Sequence, residues 1–121
     1  MQRDMDFTRD ILRKIEENPE ADRRHDIPYS TPDEMGIAGH TSEELVYHLE
    51  LLLDAEFIKA DASILPVIVQ GLTWKGHEFL ANIKNDDIWS LTKKQFAKLP
   101  DVSLTIVAAF AESLLKKKFG L

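Results

Sequence analysis

The stretch TSEELVYHLELLLD, Thr41 to Asp54, decides how the rest of the chain is read. Thr41 or Ser42 supplies a hydroxyl to cap a helix, and Glu43 and Glu44 suit its positive N-terminal end. Leu45, Val46, Leu49, Leu52 and Leu53 then recur at helical spacing and form one apolar stripe. At about 100° per residue the opposite side carries Glu43, Glu44, Tyr47, Glu50, Leu51 and Asp54, with His48 at the boundary. This helix therefore buries leucines and shows water four carboxylates, with neither lysine nor arginine among them.

Immediately downstream, Phe57 to Asp61 and Val67 to Leu72 are β-branched and aromatic in content and flank a tip containing Ser63 and Pro66. They read as a two-stranded wing. Upstream, Met5, Phe7, Thr8, Ile11, Leu12 and Ile15 mark a helix from Asp4 to Glu17, which Asn18-Pro19 stops because the residue before proline disfavours the α region. Residues 19–41 read as a connection with a short strand near Asp26 to Tyr29. Within it, Thr31-Pro32-Asp33-Glu34-Met35-Gly36 has the cap, proline and terminal glycine of one helical turn.

After the wing, a helix starts at Thr73 and carries Trp74, Phe79, Leu80 and Ile83, with Trp74 and Phe79 expected in the core. Another, capped by Asp86 or Asp87, carries Ile88, Trp89, Leu91 and Phe96 on the way to Pro100. The last, Ser103 to Phe119, is apolar around more than half its circumference, leaving Thr105, Glu112, Ser113 and Lys116 as a polar stripe. Such a helix is either deeply buried or shared with a second subunit, and Ile106, Ala109, Phe110 and Leu114 are the residues through which a homodimer would form. Lys116 to Lys118 complement the negative end of that helix, which Gly120 terminates.

The expected fold is mainly α with a small β-hairpin wing: a winged helix-turn-helix-like domain followed by C-terminal helices. Residues 1–121 are expected to form one domain, with a core over 1–85 and a helical extension over 86–121 that offers the dimerisation element.

Composition narrows the function classes. With no cysteine, disulfides, thiolate metal sites and cysteine nucleophiles are excluded, which fits a reducing compartment such as the cytoplasm. The opening MQRDMDFTRD alternates charge where a signal peptide needs an apolar stretch, and the longest apolar run, Ile106 to Ala111, is too short for a bilayer; no membrane association is expected. The net charge of -6 is uneven. From His25 to Ala60 eight acids face the single Lys59, whereas residues 86–121 hold four acids and six lysines.

The blocks MQRDMDFTRDILRKIEENPE (1–20), HTSEELVYHLELLLDAEFI (40–58), LTWKGHEFLANIKNDDIW (72–89) and VSLTIVAAFAESLLKKKFGL (102–121) resemble the bacterial and phage domain of unknown function two-five-one-three. LTWKGHEFL is the most specific of these. The resemblance spans nearly the whole chain and implies a winged-helix-like fold and an association with bacteria and mobile elements, but it brings no activity with it. Where many winged-helix proteins have glycine then leucine in the turn leaving the recognition helix, this chain has Glu56-Phe57, so a less tight turn is expected. The region before Ser42 is also longer than the pattern leads one to expect.

No nucleotide-binding glycine loop, HExxH or GxSxG motif is present. His40, His48 and His77 are the histidines to weigh, and Glu44 and His48 have the spacing of two metal ligands on one helix. A boundary histidine satisfied by a hydrogen bond is the commoner use of that position. His77 and Glu78, as neighbours on a helix, point about 100° apart and do not pair. No catalytic residue, metal or cofactor is expected, and an enzyme is the weakest class.

Standard winged-helix docking puts the outer face of the recognition helix in the major groove, where lysines and arginines neutralise phosphates. Carboxylates there oppose binding, since two like charges 4 Å apart repel by about 1 kcal/mol even in water. The favoured reading is a protein-binding face, with Tyr47 and Leu51 in a rim of Glu43, Glu44, Glu50 and Asp54; an ordinary solvated face is the plain alternative. The other functional class is a DNA-binding regulator using Arg9, Arg13, Arg23 and Arg24, or Lys93, Lys94 and Lys98. On the plain reading, Arg9 and Arg13 simply pair with Asp6, Asp10 and Glu17 along a solvated face.

Overall fold

A computed structural model describes residues 1–18, 27–29, 31–63 and 65–121. The elements run α1 (Met5–Glu17), β1 (Ile27–Tyr29), α2 (Pro32–Met35), α3 (Ser42–Asp54), β2 (Ile58–Asp61), β3 (Val67–Leu72), α4 (Trp74–Ile83), α5 (Asp86–Phe96) and α6 (Leu104–Phe119). The helix starts follow the sequence closely because polar caps write them in. Asp4, Thr31, Thr41, Thr73, Asn85 and Ser103 each accept a backbone N–H of the first turn of their helix. At α2 and α3 the cap is reciprocal, with Glu34 and Glu44 reaching back to the cap backbone. Asn85, not Asp86 or Asp87, caps α5; the two aspartates occupy its first turn, and the helix ends at Phe96 rather than Pro100.

The hairpin β2–β3 forms as expected, and β1 adds a third strand on its other side. The order is β1-β3-β2, antiparallel throughout, with Ile27 opposite Val69 and Ile58 opposite Leu72. Mainly helical, with this hairpin and two further helices after α4, the arrangement is consistent with a winged-helix-like fold. Its core joins Phe7, Ile11, Leu12 and Ile15 of α1 to Leu45, Leu49 and Leu52 of α3, Val67 and Val69 of β3, and Phe79, Leu80 and Ile83 of α4. Trp89 of α5 and Val107 and Ala111 of α6 belong to the same buried cluster, so residues 86–121 pack onto the core rather than standing apart from it.

Two expectations about apolar residues change. Trp74 lies on the outside of the first turn of α4 at 78% exposure, because Phe79, Leu80 and Ile83 take the inward face. On α6, Leu104, Val107 and Ala111 are buried against α4 and α5. Phe110 and Leu114 are half-buried there, Phe110 with its ring edge-on to Phe96 at 5.4 Å, while Ile106 and Ala109 face outward. Most of the apolar side chains of α6 are thus used within the chain.

The turn from α3 into β2 is as tight as one built with glycine, contrary to the reading of Glu56-Phe57. Glu56 itself adopts the left-handed conformation at φ 64°, and the N–H groups of Glu56 and Phe57 close onto the carbonyls of Leu53 and Leu52, both at 2.9 Å. The start of α4 is clamped onto this turn. Thr73 donates its N–H to the Phe57 carbonyl at 3.0 Å and its hydroxyl to the Glu56 carbonyl at 2.5 Å. Gly76 then sits so close that an added Cβ would lie 1.9 Å from the Phe57 carbonyl oxygen. Only a residue without a side chain lets α4 rest here.

Two outcomes follow for urea unfolding. Gly76→Ala should lose about 3 kcal/mol, since neither backbone can give way without opening the base of the hairpin. Glu56→Gly should gain up to about 1 kcal/mol by relieving the left-handed residue. An unchanged midpoint in Gly76→Ala would contradict the close approach.

Candidate functional site

The outer face of α3 begins with its cap. Glu44 is not directed at solvent as a free carboxylate. It closes the capping box on the Thr41 backbone N–H at 3.2 Å and faces the His40 ring nitrogen Nδ1 at 3.0 Å. The His40 hydrogen bond first, then that of the Thr41 backbone, hold its carboxyl below the usual range. Glu43, Glu50 and Asp54 remain exposed.

Glu43, Val46, Tyr47 and Glu50 form one wall of an open, mostly apolar groove of about 510 Å³, together with Ser42. Thr31, the cap of α2, and Leu65, from the tip of the hairpin, complete it. Leu65 is 73% exposed, an uncovered aliphatic group across from Val46 and Tyr47. Among the described residues, neither lysine nor arginine lines this groove.

Leu51 and Asp54 lie elsewhere. They line a second cavity of about 330 Å³ with Tyr47, Arg3, Pro100 to Ser103 of the α5–α6 connection, and Leu104 and Thr105 at the start of α6. Arg3 donates to the Val102 carbonyl there and ties the segment before α1 to that connection. The six residues expected to make one hot spot are therefore divided: Glu43, Tyr47 and Glu50 share the groove, Tyr47 also borders the second cavity with Leu51 and Asp54, and Glu44 serves the cap. Leu65 and Arg3 were missed. Each reaches α3 from a distant part of the chain, and no local pattern announces either.

His48 is buried at 1% exposure and both ring nitrogens are engaged. Nδ1 donates to the Glu44 backbone carbonyl at 2.7 Å, and Nε2 accepts the Asp4 N–H at 2.8 Å. That pattern requires the neutral ring, and burial pushes its pKa down. The spacing of Glu44 and His48 thus brings together a carbonyl and a ring rather than two metal ligands. Phe7 stacks on His40 at 3.8 Å and meets His48 edge-on at 4.9 Å. His77 lies apart, 3.6 Å from the Glu16 carboxylate, which also binds Lys84 at 2.5 Å. Among the described residues, no group of three or more His, Cys, Asp or Glu is placed to hold a metal ion.

The basic residues weighed for DNA are dispersed. Arg9 is not on a solvated face: it pairs with Asp86 at 3.2 Å, donates to the Ile83 carbonyl and lies 5.2 Å from the centre of the Trp89 ring. Lys93 pairs with Asp6 at 3.0 Å on the same tryptophan. Arg13 is half-buried near Asp10 and Glu17, and Lys94 and Lys98 are exposed on or just beyond α5. Arg23 and Arg24 lie outside the described residues. No described helix is long and apolar enough to cross a membrane.

A family model described as "Hypothetical protein (DUF2513)" matches residues 2–102. A Haemophilus influenzae (strain KW20 / Rd) protein, printed as "Uncharacterized protein", is 37% identical over 122 residues, covering 97% of this chain and 98% of the relative. No solved structure matches the chain. The chain belongs to the DUF2513 family.

The engaged histidine sets a pH dependence. His48 has a folded pKa lowered from the ordinary 6.5, so it contributes stability above that value, and this is lost as pH falls through the folded value. The unfolding free energy should therefore decline as pH drops from about 6.5 toward 5. In His48→Gln, denaturant midpoints measured at the same pH values should show a shallower decline, and an equal slope in both proteins would contradict the neutral buried ring.

Proposed function

We propose that this DUF2513 chain is a non-catalytic, winged-helix-like interaction module. It takes a short protein segment, an apolar side chain accompanied by lysine or arginine, in the groove between α3 and the wing tip formed by the β2–β3 hairpin. The observation that carries the reading is the groove itself, apolar on its floor and bordered by acids. Glu43 and Glu50 are two helical turns apart, about 10 Å along the axis, with Val46 and Tyr47 between them. A ligand that suits this spacing buries an apolar anchor on Val46, Tyr47 and Leu65 and pairs a cation toward each end. Aromatic and aliphatic anchors of this kind dominate interface energetics, and the acids favour encounter with a basic partner.

The same surface is where a winged helix would read DNA, and its charge argues against that use. A phosphate backbone laid across α3 would meet Glu43, Glu50 and Asp54, while the wing offers Lys59 as its one basic residue. Arg9 and Lys93 cannot compensate without giving up Asp86 and Asp6. A cysteine-free chain with such a face suits a reducing compartment, the cytoplasm.

Selection from a phage-displayed random peptide library tests the reading without knowledge of the natural partner. Enriched peptides should carry an aromatic or aliphatic residue flanked by lysine or arginine. Tyr47→Ala should weaken their binding about tenfold, and Glu43→Lys combined with Glu50→Lys should weaken it more. Enrichment of acidic peptides, or binding unchanged in the double variant, would contradict it.

A further inference from the structure

Residues 116–121, Lys-Lys-Lys-Phe-Gly-Leu, have the composition the groove calls for. Phe119 and Leu121 are large apolar side chains exposed at 53% and 81%. Lys116 pairs with Glu112 at 3.1 Å and Lys118 with Asp87 at 3.0 Å, both at exposed positions, and Lys117 is exposed beside them. The left-handed Gly120 turns the backbone so that the Leu121 N–H closes onto the Lys116 carbonyl at 2.8 Å. The segment is thus a defined knob, two apolar groups beside three cations, rather than a loose strand.

It cannot reach the groove of its own chain. The start of α6 lies near α3, since Leu104 and Thr105 share a cavity with Tyr47 and Leu51. From there the helix runs about 24 Å at 1.5 Å per residue, and Lys118 fixes its far end to the first turn of α5.

We infer that residues 116–121 of one copy dock in the α3–wing groove of a second copy, with Phe119 or Leu121 against Val46, Tyr47 and Leu65 and the lysines facing Glu43 and Glu50. The inference rests on the groove being a docking site for a basic, apolar protein segment. Because knob and groove are different surfaces, the contact is heterologous: a docked pair retains one free groove on one copy and one free knob on the other, so association continues head to tail or closes into a ring. Charge pairing at an exposed rim makes it weaker at high salt. Self-docking also occupies the groove, so a foreign basic segment binds only by displacing a neighbouring copy.

Sedimentation velocity on the whole chain tests this with two variants altered only at exposed or groove-lining positions. The groove variant carries Glu43→Lys and Glu50→Lys; the knob variant carries Lys117→Glu, Phe119→Ser and Leu121→Ser. Circular dichroism melts identify any loss of folding. The wild type should form species larger than a dimer that grow with concentration at low salt and disperse at high salt. Each variant alone should be monomeric. Their equimolar mixture should form a one-to-one dimer that does not grow, because it contains one intact knob and one intact groove. A wild type that stays monomeric at low salt, a dimer indifferent to both sets of changes, or a mixture without complex would overturn the inference. If peptide binding in the groove persists in that case, the self-docking fails while the docking function stands.

Discussion

The backbone carbonyl of Phe57 is the point on which the architecture around α3 turns. It receives the N–H of Thr73 and lies where a Cβ on Gly76 would have to go, so the first turn of α4 rests directly on the backbone that leaves α3. The hairpin between them is thereby closed at its base, with both ends held within one hydrogen-bonded junction. Closing the base fixes the direction of the tip, and Leu65 comes to face Val46 and Tyr47 near the start of α3. Thr73 and Gly76 sit in the LTWKGHEFL block, and the junction gives both a backbone role.

Much of the remaining polar chemistry is consumed by holding helices together. His48 joins α3 to the cap of α1 through the Asp4 N–H, and Phe7 packs between the two histidines of that region. Arg9 and Lys93 stand against Trp89 and are neutralised by Asp86 and Asp6 from other helices. Among the described residues, what stays exposed beside these pairings is acids and apolar groups along α3, Lys94 and Lys98 on or just beyond α5, and the lysines at the far end of α6, where Lys116 and Lys118 have acidic partners at exposed positions. The fold by itself fixes no activity.

The sequence shows most clearly what is local. The bounds of α3 can be read because Thr41 and Glu44 form a capping box, and those of α1 because Asp4 opens it and Asn18-Pro19 closes it. It misleads where a tertiary contact overrules a local preference. Glu56 takes a glycine conformation because Thr73 and the closing bonds of α3 hold it there. Trp74 is pushed outward because Gly76, Phe79 and Leu80 already claim the face toward the core. The candidate site is half legible. Periodicity places Glu43, Tyr47 and Glu50 on one face, but Leu65 joins them from across a hairpin, Arg3 approaches Leu51 from before α1, and Glu44 is withdrawn by its own helix cap.

The central claim is that the α3 face receives a basic, apolar protein segment and not a nucleic acid. Amide NMR spectra of the labelled chain, titrated in parallel at low salt with a synthetic peptide of residues 116–121 and with a mixed-sequence DNA duplex, separate the two most directly. The peptide should shift Glu43, Val46, Tyr47, Glu50 and Leu65, and the duplex should leave them in place. Shifts at those residues with the duplex, and none with the peptide, would contradict the account.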